Sequence, residues 1–440
     1  MDVTAQALEA ALAAIAPHTR PAGEGDVVAG ARPSVVVEPE TEEQVAAVLR
    51  YAHGAGLAVI PRGGGSQLAL GAPPERAEII LSMARMNQII EHAPHDLTVT
   101  AQAGLSLASL QQALGAAQQW LALDPLLDAA ATLGGLISTN ATGARRLRYG
   151  GVRDQIIGVR VALADGTIAR GGGKVVKNVA GYDLPKLFTG ALGTLGVILS
   201  ANFRLYPMAP YGATALLEAD SLPALGAVVQ RILARPLTPS ALDIFSPDAS
   251  DAPYLLAARF ESGVRASVDD QARVVCVAPV AEGTQPRPTL SGDDEAVFWG
   301  ERAAAWRAPL GAPDELDEQS AVSATIKASL PITAVTDWLV ELEAARRDGA
   351  LRGRWQAHAG HGIIMAQLAA APEMLSQRIE ALRASASAQR GSLVVTDLPP
   401  ALVGKVDPWG PVAALAVMRH LKQRFDPNGV LNPGRFVGGI

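Results

Sequence analysis

VVVEPETEEQVAAVLRYAHGAGLAVIPRGGG, residues 35–65, changes its hydrophobic period twice and so sets the fold class. Val35, Val36 and Val37 form a short apolar run. Thr41 and Gln44 stand three apart as a capping box, and Val45, Val48, Leu49 and Ala52 then repeat at i, i+3, i+4 and i+7 as the buried stripe of a helix. Gly54 is expected to end that helix, and Leu57–Ile60 reads as a second strand running directly into Gly63, Gly64 and Gly65. Three consecutive residues without Cβ let successive backbone N–H groups converge on an anion such as a pyrophosphate. Taken alone, the same run reads equally well as a flexible glycine turn.

Outward from this stretch the pattern stays mixed. The N-terminal MDVTAQALEAALAAIAPHTR reads as an amphipathic helix, since no early Lys or Arg gives it the n-region of a signal peptide. Leu97–Gln102 and Ile156–Ala164 read as strands, each followed by turn residues. The prolines of Leu205-Tyr206-Pro207-Met208-Ala209-Pro210 suit a connection, giving a first domain over 1–207. From 208 to 400, expected strands at Tyr254–Phe260, Val274–Ala278 and Gly391–Thr396 alternate with helices at Leu222–Leu233, Ile332–Arg347 and Glu373–Ala388. This pattern predicts an antiparallel sheet covered by helices. Glu282–Glu295 reads as a polar loop, and residues 401–440 as a helix end with two proline turns. The fold class is α+β.

Composition narrows the function. The 440 residues carry 37 Lys and Arg against 43 Asp and Glu, a net charge of −6, which offers no basic surface for nucleic acid or an anionic membrane. A single cysteine, Cys276, excludes an internal disulfide and any cysteine-ligated zinc or iron–sulfur centre within this chain, and suits a cytoplasmic protein. The uncharged run 187–203 is interrupted by Gly190, Gly193 and Gly196 and does not read as a membrane span. No G-x-G-x-x-G, Walker A, H-E-x-x-H or G-x-S-x-G pattern occurs, so the glycines serve some other purpose.

Two further small-residue clusters follow the first, ATLGGLISTNATG at 131–143 and GALGTLGVI at 190–198. Each alone reads as close packing of helix on sheet. The ordered series PRGGGS, DLTVTAQAG, ATLGGLISTNATG, RYGGVRDQIIGVRVALADG, KNVAGYDLPKLFTGALGTLGVI and a terminal FDPNGVLNPGRF resembles the vanillyl-alcohol oxidase superfamily of flavoproteins with a PCMH-type FAD-binding domain. Within it, the series is most similar to the smaller FAD-binding subunits of bacterial glycolate oxidases. The resemblance implies a PCMH-type FAD-binding domain of two subdomains over 1–207, a substrate, cap or subunit-contact domain over 208–400, and a C-terminal segment, 401–440, returning to the FAD domain.

It also implies roles for particular residues. Arg62, Gly63, Gly64, Gly65, Ser66 and Gln67 would hold the pyrophosphate of FAD. Pro125, Thr132, Gly134 and Gly135 would line the flavin and ribityl chain, with Ser138, Thr142 and Gly143 along the same ligand. Gly193, Val197 and Ile198 would present backbone to the adenine end, and Asn432 would meet the isoalloxazine edge. Relatives with covalent flavin carry a histidine where Ser66 stands, so FAD is expected to be non-covalent. Such a cofactor supplies two-electron chemistry that the protein orients and tunes.

The chain departs from the catalytic members of the superfamily at His358-Ala359-Gly360-His361-Gly362-Ile363-Ile364-Met365, where they carry a metal-binding H-A-G-D-G-N-x-H. A methionine thioether suits hard or borderline divalent ions poorly, so no metal is expected. Phe298-Trp299-Gly300-Glu301-Arg302 resembles a W-x-x-R stretch placed near substrate, and the fork of Arg302 suits a carboxylate. A solvated helix face is the equal alternative. Lys327 has a weaker match, and Arg145, Arg146 and Arg148 read as a surface or subunit contact.

Three functions follow. The first is an FAD subunit working with a larger flavoprotein subunit and an iron–sulfur subunit to oxidise glycolate or a related 2-hydroxy acid, cytoplasmic or held at the membrane periphery through its partners. The second is a self-sufficient dehydrogenase of D-lactate or another 2-hydroxy acid, with Arg302 gripping the carboxylate and His358 as base. The third is a non-catalytic FAD-carrying assembly subunit.

Overall fold

Successive strands of the chain build three main sheets, seen in a computed structural model that describes residues 4–440 apart from 175–181, 248–251, 278–282, 309, 311–320, 348 and 350. Residues 177–181 of the KNVAGYDLPKLF motif, and Ala278, lie outside the described residues. In the first sheet Val35–Val37, Ile79–Ser82 and Val59–Arg62 run parallel, with Thr19–Pro21 antiparallel at one edge. The helix that connects two of them, Glu42–Ala55, starts as its sequence predicts. The Thr41 hydroxyl accepts the Gln44 N–H at 3.2 Å, and the Gln44 side chain accepts the Glu40 N–H at 2.7 Å. It runs through Gly54 and stops at Gly56, whose φ of 67° supplies the left-handed turn that a helix C-terminus needs.

The second sheet is antiparallel and five-stranded: Ile89–Ala93, Thr98–Gln102, Val197–Arg204, Ile156–Ala162 and Ile168–Gly172 in spatial order. The third has nine strands among the described residues, all antiparallel, built from 211 to 397. Four helices, Leu222–Leu233, Arg265–Val277, Val335–Arg347 and Pro372–Ala388, cover one face, and Leu225, Trp338, Leu342 and Ile379 meet Ala215, Leu217, Ile326 and Leu368 in its core. Alternation decides the rest. Along Val322–Ser329, Ala324, Ile326 and Ala328 enter that core, which turns Lys327 and Ser329 to the opposite face.

Two sequence expectations fail here. Val274–Ala278 is no strand: Arg265–Val277 is a helix, because Val268, Ala272 and Val275 lie on one side and bury together. The polar stretch is no free loop either over its described residues, 283–295, Glu282 lying outside them. Thr284–Pro286 and Leu290–Ser291 both pair with Tyr211–Ala219, and a helix begins at Asp293 with three acidic residues in its first turn.

The open face of the large sheet meets the first half of the chain. Arg145 binds Glu261 at 2.6 Å, Arg148 donates to the Glu261 carbonyl, and Leu147 packs on Gly360. Arg145 and Arg148 therefore contact this chain's own large sheet. Beyond the helix Leu415–Phe425 the tail crosses back: Val59 donates to the Val430 carbonyl at 2.7 Å, Asn432 donates to the Val59 carbonyl at 3.0 Å, and Leu431 is buried in the first core. No helix among the described residues is long and apolar enough to cross a membrane.

Candidate functional site

A cavity opens where the strand Val59–Arg62 ends. Arg62, Gly63, Gly64, Gly65, Ser66 and Gln67 line it together with Thr132, Gly134, Gly135, Ser138, Gly193, Val197, Ile198 and Asn432. Three segments far apart in sequence are thus brought to one place. The helix Leu133–Thr139 is capped at the cavity wall by Thr132, whose hydroxyl accepts the Gly135 N–H at 3.3 Å.

The glycines divide by what a side chain would meet. A Cβ on Gly64 would stand 1.7 Å from the Ala130 carbonyl oxygen, and one on Gly63 would stand 2.0 Å from Thr132 Oγ1, so these two are needed for chain against chain. A Cβ on Gly135 would meet nothing closer than Thr132 Oγ1 at 3.3 Å, so its bareness serves the cavity. Arg62 is anchored by Asp26 at 2.7 Å, and Asp26 is gripped from the other side by Arg20. That pair of guanidiniums, Arg20 first, holds the Asp26 carboxyl far below its ordinary range despite burial.

Asn432 sits with φ of 46° and donates its amide to the Leu192 carbonyl at 2.6 Å. Its Oδ1 is buried without a partner, as are Gln67 Oε1 and Thr142 Oγ1 at the walls of this cavity and its neighbour. Buried polar atoms are normally satisfied, and three orphans around one place mark where a polar ligand belongs. Glycine backbone, a capped helix start and these orphaned acceptors fit FAD. Arg435 also lines this cavity. It stands in the NPGRF stretch but was not among the expected site residues: its guanidinium donates to the Leu68 and Leu70 carbonyls at 2.6 and 2.7 Å, and burial lowers its pKa to about 10.

A second chamber adjoins the first, sharing Gln67, Leu127 and Thr139. Pro125 and Thr142 line it from one side. Lys327, Ser329, Met365, Val394 and Thr396 line it from the open face of the large sheet, with Met365 and Val394 the cross-strand neighbours of Lys327. Lys327 is the one charged side chain lining this chamber among the described residues, and none of them offers its ammonium a hydrogen bond or ion pair. Desolvation first, and then the Arg146 guanidinium, push its pKa below the ordinary lysine value.

Gly143 lines neither chamber: a Cβ there would be 1.9 Å from the Asp124 carbonyl oxygen, and its own carbonyl accepts from His361 Nε2 at 3.3 Å. That bond puts the His361 proton on Nε2, and burial, with His358 beside it, lowers its pKa to about 3. His358 is 1% exposed and lines none of these chambers; its Nδ1 stands 3.0 Å from both oxygens of Asp243, and its ring stacks on His361 at 5.1 Å. Burial pulls the His358 pKa down, but the Asp243 carboxylate outweighs it and the net shift is upward.

Arg302 lies in a third cavity with Asp124, Arg145, Arg259, Trp299 and Gln356, its guanidinium over Phe245 at 5.2 Å and Phe298 at 5.5 Å. Desolvation pushes the Asp124 carboxyl up to about 6, against the pull of Arg145. Among the described residues no three His, Cys, Asp or Glu side chains are grouped to hold a metal.

Comparison with known proteins falls on the same segments. The model of an FAD binding domain matches residues 33–172, and that of the C-terminal domain of FAD linked oxidases matches residues 409–436. The glycolate oxidase subunit GlcD of Bacillus subtilis is 34% identical over 224 residues, 51% of this chain and 47% of that one. The aligned region is thus about half of that relative's length. A D-2-hydroxyglutarate dehydrogenase of Xanthomonas citri is 28% identical over 438 residues, covering 92% of this chain and 89% of its own. A D-lactate dehydrogenase of Archaeoglobus fulgidus is 37% identical over 217 residues, 49% of this chain and 48% of its own. An alkyldihydroxyacetonephosphate synthase structure superposes with a TM-score of 0.70 over 92% of this chain and 76% of its own at 17% identity, which shows the α+β fold. The matched segments are thus those that carry the glycine cradle and the tail that closes it: this chain is similar to an FAD binding domain over 33–172 and to the C-terminal domain of FAD linked oxidases over 409–436.

Proposed function

We propose that this chain oxidises a 2-hydroxy acid to the 2-oxo acid in the second chamber, as an FAD subunit that passes its electrons to a partner. The observation that carries the reading is Lys327. An ammonium unpaired among the described residues, on an otherwise uncharged wall beside the cofactor cavity, is placed to hold a carboxylate. The relatives named above, which include a glycolate oxidase subunit and dehydrogenases of D-lactate and D-2-hydroxyglutarate, act on 2-hydroxy acids by name.

FAD, when bound, supplies the acceptor for the substrate's hydride. The residues 62–67, Thr132, Gly134, Gly135 and Ser138 bind it, and Gly193, Val197, Ile198 and Asn432 close the far side. Ser66, in place of a histidine, leaves it non-covalent. Pro125 and Thr142 border the chamber where substrate and cofactor meet, and Gly143 keeps that loop close to Asp124. Lys327 orients the acid by its carboxylate. Arg302 and His358 support the wall from behind, Arg302 in the adjoining cavity and His358 through Asp243.

A second reading rests on a specific feature: among the described residues no His, Asp or Glu lines the second chamber to take the hydroxyl proton. That favours partner dependence, with a larger flavoprotein subunit performing the oxidation and this chain relaying electrons. One cysteine cannot build an iron–sulfur relay, so that relay would belong to another subunit. The two readings separate in an anaerobic absorption experiment. Loss of the oxidised-flavin bands of the purified chain on adding a 2-hydroxy acid supports the first; bands that persist until partner subunits are added support the second.

A further inference from the structure

We infer that the second chamber selects a 2-hydroxy monocarboxylate with an apolar side chain of two or more carbons, in preference to both glycolate and a dicarboxylic 2-hydroxy acid. The inference rests on the 2-hydroxy-acid reading above and narrows it.

The argument starts from charge. Lys327 satisfies one carboxylate, and among the described residues lining the chamber no second cation is present for another. Burying a second carboxylate without a partner is costly, so a dicarboxylate is rejected. The arginines of the adjoining cavity do not rescue it. They lie in the third cavity, where Arg145 is bound to Glu261 at 2.6 Å and Arg259 to Glu295 at 2.7 Å. Asp124 also lines that cavity and adds negative character whenever it is ionised. Arg302 there lies over the rings of Phe245 and Phe298.

The remaining wall then sets the lower limit. Leu70, Leu127, Met365, Val394 and Trp409 surround the one ammonium with apolar surface. Glycolate has no side chain to cover it. Each methylene buried against such a wall strengthens binding about fourfold. Affinity should therefore climb from glycolate through lactate and 2-hydroxybutyrate to 2-hydroxyvalerate, about fourfold at each step, and fall sharply for 2-hydroxyglutarate, which has the length of 2-hydroxyvalerate but ends in a carboxylate.

The FAD-loaded full chain is titrated anaerobically with these five acids, following both the shift of the flavin absorption bands and their bleaching. The expected order is 2-hydroxyvalerate tightest, glycolate at least tenfold weaker, and 2-hydroxyglutarate weakest. If glycolate or 2-hydroxyglutarate binds tightest, the inference is overturned while the 2-hydroxy-acid reading stands. If none of the five shifts or bleaches the bands, that reading falls and the inference with it. One variant tests the charge argument separately. Thr396 lines the same wall on the strand Ser392–Asp397, two residues beyond the Lys327 neighbour Val394. Thr396→Arg should raise affinity for 2-hydroxyglutarate at least tenfold without improving 2-hydroxyvalerate; equal gains for both would show that the second carboxylate was never the excluded feature.

Discussion

The cofactor cradle and the wall of the second chamber are neighbours built by opposite means. The cradle is backbone and small side chains from three glycine-rich loops, with its polar demand met by capped helix ends and orphaned amides. The wall is side chains on three strands of one sheet, where a single ammonium sets the chemistry. Backbone sites leave a mark in local sequence because only glycine permits them. Side-chain sites on a sheet leave almost none, because their members are brought together by pairing between distant strands.

The largest effect should come from testing the cradle with a side chain. Gly135→Leu places its bulk in the cavity, where a Cβ meets only Thr132 Oγ1. Flavin content should fall below about a tenth, while the apoprotein keeps its Tm, since a helix tolerates leucine better than glycine. Gly64→Ala is the contrast: its Cβ runs into the Ala130 carbonyl, so the apoprotein itself should lose stability. Absorbance per chain and thermal unfolding of the apoproteins measure both. Equal Tm losses in the two variants would erase the division between ligand-facing and chain-facing glycines.

On the wall, Lys327→Met should leave flavin content unchanged and weaken 2-hydroxy-acid binding about 100-fold, the usual scale for losing one member of a buried charge pair. The same group predicts a pH dependence. The ion pair needs an ionised acid and a protonated lysine, so affinity should be highest above the acid's own pKa of about 4 and fall as pH rises further, with a midpoint below the ordinary lysine value. A flat profile up to that value, or loss of flavin in the variant, would show the ammonium serving the cradle instead of the substrate.

A smaller effect is expected where the cradle leans on a side chain. Asp26→Asn cuts the ties to Arg20 and Arg62 and should cost about 2 kcal/mol at neutral pH. The folded-state pKa of Asp26 is depressed, so its contribution is complete above the unfolded value near 4 and is lost as pH falls toward the folded one. The gap between wild type and variant, measured by urea unfolding, should therefore close in acid. A gap that stays constant would mean that the carboxylate's charge is irrelevant.

Legibility follows the same division. The capping box Thr41 and Gln44 and the clusters at 62–67, 131–143 and 190–198 could be found in sequence because each is local. The helix Arg265–Val277 was misread at its end because the apolar run Val274-Val275-Cys276-Val277 fits either period. The strands at 284–291 were missed because polar edge strands carry no alternation to detect. Lys327 could be named as a candidate, but its neighbours could not. Val394 is 67 positions away and Met365 is 38, and only the antiparallel register brings them beside it. Arg435 was hidden by chemistry: a cation whose guanidinium donates to carbonyls has no acidic partner in the sequence to advertise it.

The smallest effect tests where the wall ends. Arg302 has the residue type expected of a carboxylate grip, yet it lines the third cavity, with its guanidinium held over Phe245 and Phe298. Cation–π contacts of this kind contribute about 1 kcal/mol to the local packing. Arg302→Met should then lower stability by about that much and change 2-hydroxy-acid affinity by less than about threefold, measured by the same flavin titration. A tenfold loss of affinity with unchanged stability would join the third cavity to the second, give the substrate two cations, and make a dicarboxylate the better fit.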